Sequence, residues 1–174
     1  MILELDGILC RRNKKTIKYL KIDIMETTKI NKELSKELNL LLANLQVFYA
    51  NVRGFHWNIK GEKFFELHLK FEELYNDTLL KVDEVAERIL TLSETPHHRF
   101  SDYIKLAEIK ETSKLSSAKD TVKNILESLK VLIKEEKKIL KAASKAGDEV
   151  TNSLMSDYLK EHEKMAWMYS SFLG

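Results

Sequence analysis

At 174 residues the chain is long enough for one domain with a sizeable buried core and too short to expect two. One proline and five glycines, against abundant Leu, Lys, Glu, Ala and Ile, leave few turns and long helices, so an all-α bundle follows. The formal net charge of +2 hides an asymmetry: residues 1–24 carry Arg11, Arg12, Lys14, Lys15, Lys18 and Lys21 against Glu4, Asp6 and Asp23, a sum of +3, which leaves −1 for residues 25–174.

Other features bound the compartment. Cys10 is the only cysteine, which excludes an intrachain disulfide framework and makes a reducing cytoplasm the natural setting. No apolar run approaches the roughly 20 residues needed to span a bilayer. The first ten residues include Glu4 and Asp6, and their basic residues follow rather than precede them, which is unlike a secretory signal.

In chain order, residues 1–24 lack a sustained helical period and are expected to form a basic extension to a domain spanning 25–174, with Met25 a candidate start. From about Lys29 the period changes. Ile30, Leu34, Leu38, Leu41, Leu45, Phe48, Val52 and Phe55 recur every three or four residues, which predicts a first helix to about Trp57. Residues 58–63 contain Gly61 and read as a tight turn. A second helix carries Phe64, Leu67, Phe71, Leu74, Val82, Val85 and Ile89 to about Leu92, ahead of Pro96. Residues 93–113 form a longer connection in which Tyr103, Ile104 and Ala107 mark a short helix. A third long helix runs from about Ser116 to Ala146 and stops at Gly147. Asp148 then stands where an N-cap belongs, before a last helix with Leu154, Met155, Tyr158, Met165 and Phe172. Four long helices with one extended connection describe a ferritin-like bundle better than a simple up-down one.

The chemistry concentrates in His56, His68, Asp83 and Glu87. Imidazole nitrogens and carboxylate oxygens together suit a transition metal such as iron while leaving coordination positions open. Both histidines lie six residues from Glu62 at the centre of the turn, so an antiparallel hairpin brings them to one height. Asp83 and Glu87 share a helix face, and Glu72, one turn beyond His68, is a further oxygen donor. From His68 to Asp83 is fifteen residues, roughly 22 Å at about 1.5 Å per residue, which no single metal site spans. If the four cooperate, the carboxylates come from a second copy related by a twofold axis. Alone, Asp83 and Glu87 read as a solvated face; the four together are far more specific. The only Glu-x-x-His unit, Glu94 to His97, straddles Pro96, which argues against a di-iron site inside one bundle.

The stretches NVRGFHWNIKG (51–61), FFELHLKFEELY (64–75), KVDEVAERI (81–89) and GDEVTNSLMSDYLKEHEKMAWM (147–168) resemble the signature of the Dps family, the DNA-binding proteins from starved cells or miniferritins. The resemblance covers roughly residues 28–174. It implies a hollow dodecamer with iron at ferroxidase sites between twofold-related subunits, His56 and His68 from one and Asp83 and Glu87 from the other. Glu72 falls at a position often held by Asp. Trp57 matches a tryptophan that handles oxidising equivalents, with a packing aromatic as the alternative. Asp148 and Asp157 match acidic residues lining an iron-entry pore, although an N-cap role alone explains Asp148, and Ser153 replaces an acidic residue there.

The expected activity is a ferroxidase that oxidises Fe(II) preferentially with hydrogen peroxide, stores ferric oxide in the shell and so protects DNA from oxidative damage. The alternative is a DNA-compacting structural protein that binds duplex through the basic tails, which would make it nucleoid-associated. His97 and His98 read as loop residues and His162 as a polar-face residue; Tyr49, Tyr75, Tyr103, Tyr158 and Trp167 read as packing aromatics.

Overall fold

A computed structural model describes the backbone of residues 2–174 and the side chains of residues 29–174. The basic residues of the 1–24 segment and Cys10 lie outside the described side chains. The helices are α1 (Ile2–Asn58), α2 (Phe64–Thr91), α3 (Phe100–Leu106), α4 (Ala118–Ala146) and α5 (Glu149–Leu173), and the described residues contain no strand. The helices α2 to α5 stand where the hydrophobic period placed them, whereas α1 begins at Ile2 instead of near Lys29, so its backbone runs unbroken through the segment 1–24 that was expected to be a separate extension.

Two tight hairpins build the bundle, α1 against α2 and α4 against α5, with α4 also packed on α1. Leu38, Leu41, Leu45, Phe48, Val52 and Phe55 of α1 are all buried, joined by Phe71, Ile89, Ile125, Leu129, Leu132 and Met155 from the other helices. The helix ends carry local stop and start signals. Gly147 adopts φ 69°, the left-handed conformation that closes α4, with the Asp148 amide donating to the Ala143 carbonyl at 2.9 Å. Asp148 then caps α5 by accepting from the Thr151 amide at 3.0 Å. At the end of α2, Ser93 takes the left-handed role at φ 62° and the Glu94 amide reaches the Ile89 carbonyl at 3.2 Å. Hence α2 stops at this cap, several residues ahead of Pro96.

The connection from α2 to α4 is held to α1 by three asparagines. Asn39 accepts from the His97 amide at 2.7 Å, Asn44 from the Ile109 amide at 3.0 Å, and Asn51 from the Thr112 amide at 3.1 Å while donating to the Lys110 carbonyl at 2.9 Å. Extended backbone laid over a core needs such partners, because no helix ladder satisfies its polar groups. Tyr103 of α3 is buried as expected, its hydroxyl donating to the His97 carbonyl at 2.8 Å.

Candidate metal centre

The α1–α2 turn sets the first half of the site. Gly61 sits at φ 100° and its carbonyl accepts from the Phe64 amide at 3.0 Å, which reverses the chain within five residues. His56 in the last turn of α1 and His68 in the second turn of α2 therefore meet, with rings stacked at 3.8 Å between centroids and 20° between planes. Each ring is tied to the other residue's backbone: His56 Nδ1 lies 2.8 Å from the His68 carbonyl, and His68 Nδ1 lies 2.9 Å from the His56 carbonyl. A carbonyl oxygen only accepts, so Nδ1 carries the hydrogen in both rings, and in the neutral form of each ring the lone pair is left to Nε2. Two imidazoles are thus fixed in the tautomer that a metal ligand requires. Phe64 stacks on His68 at 5.0 Å and Tyr75 meets His56 edge-on at 5.4 Å, which hold the pair from either side.

The carboxylates stand elsewhere. Asp83 and Glu87 are exposed on α2 and Glu72 is half-buried. Because α2 is one helix from Phe64 to Thr91, the separation of roughly 22 Å between His68 and Asp83 stands. Among the described residues, no three His, Cys, Asp or Glu side chains of one chain converge to hold a metal ion. At 100° per residue, His68, Glu72, Asp83 and Glu87 nevertheless share one third of the α2 circumference. That same strip carries Leu69, Leu79, Leu80 and Leu90, all exposed, whereas Phe71, Leu74, Val85 and Ile89 bury the opposite side. An exposed row of leucines around a carboxylate pair is a surface that needs covering.

Trp57, next to His56, is 65% exposed, and the Arg53 guanidinium lies 4.9 Å from both its ring and that of Tyr49. Packing inside its own chain therefore does not account for Trp57. Trp167 is likewise exposed, contrary to its expected packing role. Asp148 is fully engaged: Arg88 Nη2 donates to both its oxygens at 2.7 and 2.8 Å, and the Thr151 hydroxyl donates at 2.6 Å. Burial alone would raise its carboxyl, but the bonds from Thr151 and Arg88 outweigh it and hold it below the usual carboxylate range. Asp157 is exposed and lines an open groove of about 650 Å³ between α2 and α5, together with Glu84, Glu87, Glu149 and Ser153.

A lowered folded-state pKa stabilises the fold above the unfolded value and loses that contribution as pH falls through the folded value. Asp148→Asn is thus expected to lower the melting temperature at pH 7, with the gap from the parent closing below about pH 4. Melting curves at pH 7 and pH 3 check this; a gap of equal size at both would contradict it.

The core also holds ionisable side chains that the sequence did not mark as buried. His162 is buried, and its Nδ1 lies 2.6 Å from Oε1 of Glu136, itself fully buried on α4. His162 is therefore a core residue and not a polar-face one. Its spacing from Met155 and Tyr158 already placed it on the apolar stripe of α5, but the flanking Glu161 and Glu163 obscured that period. Lys81, also buried, bridges Asp77 at 2.8 Å and Glu161 at 2.6 Å.

Comparison with known proteins places the chain in a family. A family model described as a ferritin-like domain matches residues 35–174. The chain is 52% identical over 139 residues to an uncharacterized protein of Haemophilus influenzae, covering 80% of this chain and 87% of that one. It is 46% identical over 137 residues to the DNA protection during starvation protein of Porphyromonas gingivalis, covering 79% and 86%. Among solved structures, a Dps protein from Vibrio cholerae, described as a member of the ferritin-like diiron-carboxylate superfamily, superposes with a TM-score of 0.83 at 49% identity over 84% of this chain and 92% of its own. Dps from Staphylococcus aureus superposes at 0.80 with 35% identity, covering 82% and 96%.

Proposed function

Because the chain belongs to the Dps family of ferritin-like proteins, we propose that it forms a hollow dodecamer that oxidises ferrous iron, preferentially with hydrogen peroxide, and stores the ferric product inside. The observation that carries the reading is the His56–His68 pair, whose Nδ1 atoms are both spent on backbone carbonyls and whose Nε2 atoms remain to bind iron.

The remaining ligands come from a second copy. Asp83 and Glu87 lie too far from their own histidines, and the exposed leucines around them fit a twofold contact that pairs α2 with α2. Each contact then holds two sites, every one built from His56 and His68 of one chain and Asp83 and Glu87 of the other, with Glu72 as an additional oxygen donor. Two anionic carboxylates favour Fe(III) over Fe(II), and a small protein ligand set leaves room for the oxidant. In the net reaction two Fe(II) and one H2O2 combine with two waters to give two FeOOH and four protons, so both oxidising equivalents of peroxide go to iron and no hydroxyl radical is released. Trp57 stands beside His56 to supply an electron when only one iron is bound.

For entry, Asp157 is the one of the two expected pore acids left open, because Asp148 is paired with Arg88; Ser153 carries no charge, and the exposed Glu149 at the start of α5 adds a further negative charge to the same groove. Among the described residues no helix is long and apolar enough to cross a membrane. The test is anaerobic Fe(II) given hydrogen peroxide or dioxygen: consumption of two irons per peroxide, faster than with dioxygen, with ferric product co-eluting with the shell, is the expected result. One iron per peroxide with spin-trappable hydroxyl radical would refute it.

Protection of DNA is part of the reading, supported by the name borne by the Porphyromonas gingivalis relative. Direct DNA binding would rest on the basic residues of 1–24, since residues 25–174 sum to −1. Full-length protein is expected to retard duplex DNA on a gel in low salt, and a chain starting at Met25 to leave it free. Equal retardation by both would remove the tail from the account.

A further inference from the structure

No close backbone pairing joins α2 to α5 in the way that α1 pairs with α2 and α4 with α5. Long polar side chains span the gap instead. Lys81 reaches Glu161 at 2.6 Å while its ammonium lies 5.2 Å over the Tyr158 ring. Three residues on, Glu84 accepts from the Tyr158 hydroxyl at 2.6 Å. One turn further, Arg88 grips Asp148 and donates from Nε to the Thr151 hydroxyl at 2.8 Å. Lys81, Glu84 and Arg88 form one stripe along α2, and Asp83 and Glu87 stand about a third of a turn from it.

We infer that the Tyr158–Glu84 hydrogen bond, flanked by the Lys81 and Arg88 bridges, fixes the roll of α2 and thereby aims Asp83 and Glu87, which makes Tyr158 and Glu84 positioning residues of the iron site. This rests on the ferroxidase reading above. Packing against α1 holds α2 on one side only, and the apolar driving force is itself non-directional, so the directional bonds to α5 set the roll on the other side. A roll of about 20° at a side-chain radius of about 5 Å moves a carboxylate by about 2 Å. Metal coordination tolerates about 0.2 Å, so an unlocked α2 loses the geometry while keeping the fold. Burial, with Glu84 beside it, pushes the Tyr158 hydroxyl well above the usual phenol range, so it remains a donor throughout the working pH.

Three variants separate aiming from charge. Tyr158→Phe and Glu84→Ala both break the bond, whereas Glu84→Gln removes the charge and keeps an amide oxygen that still accepts from Tyr158. The readout is anaerobic cobalt(II) titration of the assembled protein, followed by the visible band of cobalt that is lost in His56→Ala. Expected are an affinity about tenfold weaker and an altered band in both Tyr158→Phe and Glu84→Ala, with Glu84→Gln restoring the parent's values. Parent-like binding in Tyr158→Phe, or equal losses in Glu84→Ala and Glu84→Gln, would overturn the inference, the latter by making Glu84 a source of field only. Should Tyr158→Phe fail to assemble, the two Glu84 variants decide alone, because that side chain is exposed. A parent with no His56-dependent band removes the iron site itself, and the positioning role with it.

Discussion

Replacing His56 and His68 together with alanine is expected to abolish rapid peroxide-driven iron oxidation while the shell still assembles. Loss of a group that merely orients a metal ligand costs about 10- to 100-fold, so loss of both nitrogen ligands themselves should exceed about 100-fold. The same change removes two hydrogen bonds that tie the end of α1 to the start of α2. At about 1 kcal/mol each, this lowers stability without unfolding a bundle whose core lies in other residues. Stopped-flow oxidation and gel filtration on the same sample separate the two effects: a normal shell with a dead reaction is the expected pair. Unchanged kinetics would remove the histidines from the chemistry.

The second large effect is on stability, at the buried Glu136–His162 pair. His162→Ala leaves a void and deprives a fully buried carboxyl of its only hydrogen-bond partner, a loss of about 3 kcal/mol. Replacing both members with leucine is expected to recover most of that, because a buried polar pair contributes little beyond what well-packed apolar groups supply. Urea denaturation at one fixed protomer concentration measures both, since assembly couples stability to concentration. A double variant as unstable as His162→Ala would show that the pair does more than satisfy itself.

These two sites mark how far the sequence carries. His56 and His68 were legible because their constraint is local: a five-residue reversal puts positions equidistant from Glu62 side by side. The α1 stripe from Leu34 to Phe55 was legible because one long period leaves no alternative face. Asn39, Asn44 and Asn51 were not, since each bonds to backbone about sixty residues away and an isolated asparagine on a helix carries no sign of that partner. His162 and Glu136 had the period but also the polarity of a solvated face, and only the packing of α4 against α5 decides between those. Lys81, Glu84 and Tyr158 likewise become a ladder only once α2 and α5 face each other.

The central claim is that one chain holds half a site, and it is tested most directly by mixing two inactive chains. One carries His56→Ala and His68→Ala, the other Asp83→Ala and Glu87→Ala, and each alone forms an inactive shell. In a twofold pair made of one of each, one site receives both sets of substitutions and the other receives none. Random co-assembly makes half of all pairs mixed, and each mixed pair has one of its two sites intact, so co-expressed shells should regain about a quarter of the parent's oxidation rate. Mixed shells as inactive as either variant alone would mean that a single chain supplies the whole site, and would contradict the account.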